Sequence, residues 1–329
     1  MKNLYLILIL TFSCCKIQTQ TADSSFFSKC QQIQYFENCT QFTFDLDYMT
    51  PMPEPNYGFG AVKLKNQVYT FFWNGVYTYD IAVDKWSLIN NTGMKNDQVN
   101  AVLGDSIIYL VGGYHEGNKI ERFNINTNKW QKPIIMPLEL YWCAVEYLDN
   151  HLFIIGGYSP PNLLNHILTY NVNTNTWKKH NLGHTISDPN SFKIKNEIFC
   201  WGRQPGETYP DYTPVFLKYN ILKDSIYYDI FLANFVKDYQ EGTLFKGGIL
   251  FSQGSDGGGF INKASKSLYW YDPQKCIYYE SITKLKEGRH YDYFLFEHKG
   301  DIYLMGGRDD QTWDAMNTVL KISKIKLPK

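Results

Sequence analysis

The chain has 329 residues with 32 Lys+Arg against 32 Asp+Glu, so no net field favours nucleic acid or an anionic membrane surface. Apolar residues at 44% are ordinary, but 26 Tyr, 21 Phe and 8 Trp raise the aromatic share to 17%, which suits large rings packed between sheets. This length fits two average domains or one closed all-β ring, and the internal repeats decide between them.

At the N-terminus Lys2 precedes the apolar run Leu4-Tyr5-Leu6-Ile7-Leu8-Ile9-Leu10 and the small residues of Phe12-Ser13-Cys14-Cys15. A charged start, a short apolar run and small residues predict a signal peptide over 1–21 and a secreted protein, extracellular or periplasmic. The run is far shorter than the roughly 20 residues that span a bilayer, and no transmembrane segment is expected. Ser13-Cys14 leaves a lipidated cysteine as an alternative.

An N-terminal segment over 22–40 follows, carrying Cys30 and Cys39, and Cys143, Cys200 and Cys276 lie further on. Cys30 and Cys39 are close enough in sequence to form a disulfide in an oxidising compartment. Cys143 and Cys200 lie in apolar strand contexts and read as small buried hydrophobes. Asn38 and Asn90 match the glycosylation acceptor pattern, through Asn38-Cys39-Thr40 and Asn90-Asn91-Thr92. There is no C-x-x-C spacing and no His-x-x-x-His pair in a helical context, so neither a metal nor a cofactor is expected.

From residue 41 onward a unit recurs. Val68-Tyr69-Thr70-Phe71-Phe72 leads to Tyr79 and, seven residues on, Trp86, with Trp73-Asn74 following the apolar run. Ile108-Tyr109-Leu110-Val111 runs into Gly112-Gly113 and leads to Phe123 and Trp130; Leu152-Phe153-Ile154-Ile155 runs into Gly156-Gly157 and leads to Tyr170 and Trp177. The fourth and fifth units keep the spacing as Tyr219 with Ile226 and Tyr271 with Tyr278, but lose Trp and the full Gly-Gly. Ile302-Tyr303-Leu304-Met305-Gly306-Gly307 makes the sixth.

Each unit reads as a four-stranded sheet that cannot bury both faces alone, so neighbours must stack and the ring must close. Asn126-Thr127-Asn128 and Asn173-Thr174-Asn175 supply residues that tolerate left-handed backbone in tight turns. Val319-Leu320-Lys321-Ile322 leaves too little chain for a fourth strand in the sixth unit. The alternating stretch Gln41-Phe42-Thr43-Phe44-Asp45-Leu46-Asp47 is expected to supply it.

Four apolar residues, Gly-Gly, and a spaced Tyr and Trp resemble the kelch repeat. The resemblance implies an all-β, six-bladed kelch-type β-propeller over 41–325, its last blade closed by an N-terminal strand. It also implies a mouth where the loops after second strands and before first strands meet. Tyr114-His115-Glu116, Tyr158-Ser159, Arg203-Gln204, Asp256 and Arg308-Asp309-Asp310 fall in the first kind, and Asp188-Pro189-Asn190 and Arg289-His290-Tyr291 in the second.

Arg203, Arg289 and Arg308, with Tyr114, Tyr158, Tyr291 and Asp188, would then form a ligand set suited to an acidic or polyhydroxylated molecule. The alternative is that the arginines pair with neighbouring carboxylates and only keep the surface solvated. Gly254-Ser255-Asp256-Gly257-Gly258-Gly259 lacks the Gly-Lys-Ser/Thr ending of a phosphate loop and reads as a blade loop.

Kelch propellers are mostly interaction platforms, which implies a binding module for an extracellular protein or glycan. The enzymatic alternative is an acidic-sugar isomerase similar to the N-acetylneuraminate epimerases, signal-bearing six-bladed kelch proteins of similar size. Arginines would hold the substrate carboxylate there, and Glu116, His115, Asp256 or His290 would move protons.

Overall fold

A computed structural model describes residues 16–21, 32–39, 42–205, 212–235, 237, 239–254, 264–273, 275–289 and 293–327. The described chain is almost entirely strand, with one helical turn, Ile230–Ala233. Six sheets are arranged as a six-bladed β-propeller, and the six units expected from the repeats are its six blades.

Blades one to five span 60–90, 100–135, 144–181, 187–228 and 241–281, each an antiparallel run of four strands in chain order. Blade six takes three strands from 293–326 and its fourth from Thr43–Tyr48, with Leu320 opposite Tyr48, Ile322 opposite Leu46 and Ser323 opposite Asp45. The expected closure by an N-terminal strand is therefore present. Phe42 and Phe44 bury their rings beside Ile302, Leu304 and Ile322, which ties the ring shut with apolar area as well as ladder hydrogen bonds.

The seven-residue aromatic spacing has a simple geometric cause. Tyr79 lies opposite Trp86, Phe123 opposite Trp130 and Tyr170 opposite Trp177 across the third and fourth strands. The weaker pairs Tyr219 with Ile226 and Tyr271 with Tyr278 keep the same register. Ring centroids in the first three pairs are 4.9, 5.3 and 4.6 Å apart, within the range of favourable aromatic pairs.

The turns between these partners carry Asp84, Asn128, Asn175 and Asp224 at φ of 49 to 57°, left-handed conformations that Asn and Asp tolerate. Their side chains also anchor the preceding tyrosines: the Tyr79 hydroxyl donates to Asp84 at 2.6 Å, Tyr170 to Asn175 at 2.6 Å and Tyr219 to Asp224 at 2.9 Å. Trp130 donates its indole N–H to the Thr92 carbonyl at 2.8 Å, linking the outer strand of blade two to the end of blade one. The motif thus stitches the outer strands together as well as filling space.

The apolar clusters lie between blades. One joins blades six, one and two, and others join two to three, three to four, four to five and five to six. Gly157 shows what the Gly-Gly step does. It holds φ 93°, and a Cβ there would come within 2.6 Å of the Tyr141 carbonyl, so the end of the second strand and the incoming loop can touch only through glycine.

Two strands at the N-terminus go beyond the expected six four-stranded blades. Gln32–Cys39 runs parallel to Ile277–Ser281, and Lys16–Thr21 pairs antiparallel to Gln32–Cys39, so blade five has six strands. Lys16–Thr21 falls inside the stretch expected to be a signal peptide. The side chains of Cys30, Cys39 and Asn38 lie outside the described residues, and so does the expected Cys30–Cys39 disulfide. Cys276 is disulfide-bonded, whereas Cys143 and Cys200 are free and buried, as expected of them.

Candidate functional site

The first strands of the blades, Gly60–Leu64, Asn100–Leu103, Ala144–Leu148, Ser187–Ile194, Glu241–Phe245 and Tyr293–His298, form the inner ring of the propeller. They surround a central cavity of about 480 Å³, lined from all six blades, a volume in the range of small-ligand sites. Alternation along each inner strand sends one face into a blade interface and the other to the axis. Side chains that a lone sheet would give to solvent therefore face each other across the cavity.

Glu146 is the clearest case. Its carboxylate accepts the Ser191 hydroxyl at 2.8 Å, and burial pushes its pKa up to about 7 against the opposing pull of that bond and of Lys193. The Lys193 ammonium itself donates to the backbone carbonyl of Tyr147. Asn100 and Glu241 also line the cavity, and Phe59, Phe294 and Trp142 supply its aromatic walls.

At the rim, Arg203 donates from Nε and Nη2 to Asp188 Oδ2 at 3.0 and 2.7 Å, and from Nη2 to the Tyr239 hydroxyl at 2.9 Å. Its guanidinium faces the Tyr239 ring, 4.9 Å from the centroid. Ser187 donates its hydroxyl to the same Asp188 oxygen at 2.6 Å. Of the seven expected ligand residues, Arg203 and Asp188 line the cavity, paired with each other.

The other two arginines lie elsewhere. Arg289 is fully buried, its guanidinium donating to the Gly306 carbonyl and to Thr318 Oγ1 at 2.5 Å, with Glu287 3.7 Å away. The guanidinium thus braces blade six, while the Arg289 backbone N–H donates to Gln253 Oε1 at the end of the second strand of blade five; the side chain is absent from the cavity wall. Burial lowers its pKa to about 10, so it remains charged at neutral pH. Arg308 lies over the Tyr57 ring, 3.4 Å from the centroid.

Tyr114 and Tyr158 belong to a second feature of the mouth. Trp73 meets His115 at 5.5 Å, His115 meets Tyr114 at 6.2 Å, and Tyr114 meets Tyr141 at 5.5 Å. Tyr141 continues to Tyr158 at 6.2 Å, which stacks on Trp142 at 6.0 Å. Six rings from blades one, two and three thus form a continuous ridge leading to the cavity rim, with Trp73 51% and Tyr114 58% exposed.

Of the proton-moving candidates, His115 makes edge-on ring contacts in this ridge with its Nε2 3.8 Å from Asp97, and Glu116 pairs with Lys119 at 2.6 Å. Asp256, His290 and Tyr291 lie outside the described residues. Asn90 ends the outer strand of blade one, where its amide donates to the Asn128 carbonyl at 2.8 Å. Among the described residues no three His, Cys, Asp or Glu side chains cluster as metal ligands, and no helix is long and apolar enough to cross a membrane.

The sequence reading missed Glu146, Glu241, Tyr239, Trp142 and Trp73. Trp73 stands where the first unit lacks Gly-Gly, a departure that marked the position. The others carried no signal before the ring closed.

Comparison with known proteins agrees with this architecture. The Kelch motif profile matches residues 143–179, the third blade. The chain is 27% identical over 159 residues to Kelch domain-containing protein 10 of Xenopus laevis, covering 40% of this chain and 38% of that protein. It is 24% identical over 114 residues to Kelch repeat and BTB domain-containing protein 12 of Danio rerio, covering 30% and 18%. The chain thus spans less than two-fifths of the length of these relatives. The solved structure "Structure of YjhT" superposes with a TM-score of 0.66 at 13% identity, covering 84% of this chain and 98% of that one.

Proposed function

We propose that this kelch-repeat β-propeller is an exported protein-interaction module that takes its partner on the mouth face. Kelch propellers typically bind proteins. The observation that carries the reading here is the aromatic ridge from Trp73 to Trp142, which presents half-exposed Trp and Tyr in one contiguous band. Exposed apolar bands of this kind mark interaction surfaces, and Trp and Tyr are the residues that dominate their energetics. Export rests on Lys2 and the short apolar run Leu4–Leu10, which precede the strand Lys16–Thr21.

The test is quantitative co-purification from the cells that make the protein and from their medium. It compares the wild type, a Trp73→Ser/Tyr114→Ser double variant, and Leu222→Ser, an exposed position in the turn between the third and fourth strands of blade four, on the opposite face. A partner lost from the ridge variant and kept by Leu222→Ser supports the reading. A partner kept by both places the interaction elsewhere.

The acidic-sugar isomerase alternative draws less support from the geometry. It calls for arginines gathered on a substrate carboxylate, and only Arg203 of the three lines the cavity, already bonded to Asp188. Thermal unfolding with N-acetylneuraminate addresses it directly. A saturating ligand at about 100 times its dissociation constant adds about 2.7 kcal/mol, and an unmoved midpoint removes that reading.

A further inference from the structure

In blades one to five the chain enters the inner strand through a left-handed residue. Two positions before continuous pairing of the first strand with the second begins stand Gly58, Gln98, Trp142, Asp188 and Tyr239, with φ between 47 and 69°. Glycine adopts this backbone freely, and in blade one a Cβ at Gly58 would meet Gln98 at 2.8 Å. Trp and Tyr adopt it only under strain, a feature that collects at ligand sites. All five residues line the central cavity. Trp142 donates its indole N–H to Gln98 Oε1 at 2.5 Å, and the Arg203 guanidinium ties Asp188 to Tyr239. Blades two to five thus hold a crown of fixed side chains over the cavity.

The polar groups beneath the crown are set to meet hydroxyls. Asn100 gives its amide N–H to the Cys143 carbonyl at 2.5 Å and Asn190 gives its own to the Gln240 carbonyl at 3.2 Å, so each offers the cavity its Oδ1 as an acceptor. Gln98, whose Oε1 takes the Trp142 indole, offers its Nε2 as a donor. Ser191 gives its proton to Glu146, and burial keeps that carboxyl neutral up to about pH 7, with a proton of its own to give. Acceptors and donors side by side call for a ligand group that does both, which is a hydroxyl. Arg203, the one cation of the described lining, is paired with Asp188, and Glu241 is partnered as well. The described wall therefore holds no charge set aside for an ionic ligand.

We propose that the central cavity binds a neutral sugar, its hydroxyls taken by Gln98, Asn100, Asn190 and Glu146 and one face of its ring packed on Trp142. Aromatic walls with a few convergent polar groups, around a space of about 480 Å³, suit a ligand of this size. This is a second site, sharing only Trp142 with the ridge, and it stands or falls independently of protein docking there.

The experiment is saturation-transfer NMR on the intact purified protein with glucose, galactose, mannose, N-acetylglucosamine and lactose, and with N-acetylneuraminate, glucuronate and glucosamine beside them. Each sugar that binds is then titrated by calorimetry against the wild type, Gln98→Gly, Asn190→Ala, Trp73→Ser/Tyr114→Ser and Leu222→Ser. Gln98→Gly gives blade two the residue of blade one, relieving the left-handed strain while removing the donor. The two cavity variants lie in different blades, and thermal unfolding confirms that each is folded before it is used. The expected result is a neutral sugar whose binding weakens about tenfold in Gln98→Gly and in Asn190→Ala and is unchanged in Leu222→Ser. No binding by any neutral sugar overturns the inference, as does preference for the charged ones. A neutral sugar undiminished in either cavity variant, or lost only in Trp73→Ser/Tyr114→Ser, lies elsewhere and overturns it as well.

Discussion

Replacing Glu146 with Gln changes one atom in the channel wall and removes a titration. The carboxyl has an ordinary value of 4.5 and is held up to about 7 by burial, with Lys193 and the Ser191 hydroxyl pulling the other way and the Cys200 thiol buried nearby. Between those two values the unfolded chain has shed its proton while the folded chain still holds it. Stability therefore falls as pH rises from about 4.5 to about 7 and is level above that. At about 1.4 kcal/mol per pH unit the interval sets a ceiling of about 3 kcal/mol, of which about 2 is lost between pH 5 and pH 8.

Gln accepts the Ser191 hydroxyl as Glu does and has no proton to lose, so its stability lacks this loss. Other titrating groups are common to both proteins and cancel in the difference between them. Urea unfolding followed by tryptophan fluorescence at pH 5, 6, 7 and 8 reads that difference. With a slope of about 3 kcal/mol per M, the variant should gain roughly 0.7 M in midpoint over the wild type between the two extremes. A variant-minus-wild-type difference that is constant with pH refutes the placement of Glu146 as a buried carboxyl on the axis.

Three further perturbations address the fold and the arginines. Phe44→Ala empties a buried position in the strand that closes blade six, and should cost about 3 to 5 kcal/mol in urea unfolding, with faster proteolysis of the closing strand. Gly157→Ala places a methyl 2.6 Å from the Tyr141 carbonyl at φ 93°, and should cost more than about 1 kcal/mol and lower the thermal midpoint. Arg289→Met strips the donors from Gly306 and Thr318, and should destabilise by about 3 kcal/mol. The loss should appear in stability, because the guanidinium is fully buried against blade six and does not line the cavity.

The parts of the fold that could be read from the chain are those whose geometry is local. A strand, a four-residue turn and a strand place residues seven apart opposite one another, so the Tyr79 to Trp86 spacing is already a cross-strand pair before any ring exists. The closing strand was legible for a related reason: Phe42 and Phe44 alternate with polar residues, and blade six lacked a partner of that pattern. The added strands Gln32–Cys39 and Lys16–Thr21 were not, because a parallel strand joined by no hairpin to its neighbour leaves no turn or spacing to read.

The site was legible in its loops and hidden in its walls. Ala144-Val145-Glu146-Tyr147-Leu148 reads as an ordinary half-buried strand with Glu146 on the wet side. Only closure of six inner strands turns that wet side into a cavity and makes Ser191, more than forty residues away, its hydrogen-bond partner. The same closure divides arginines that looked equivalent. Arg203, near the end of a second strand, extends over the cavity to Asp188, whereas Arg289, just before a first strand, turns its buried guanidinium onto Gly306 and Thr318 of its own blade. Loop position told that an arginine was near the mouth, and the direction of its side chain was set by the neighbouring blade.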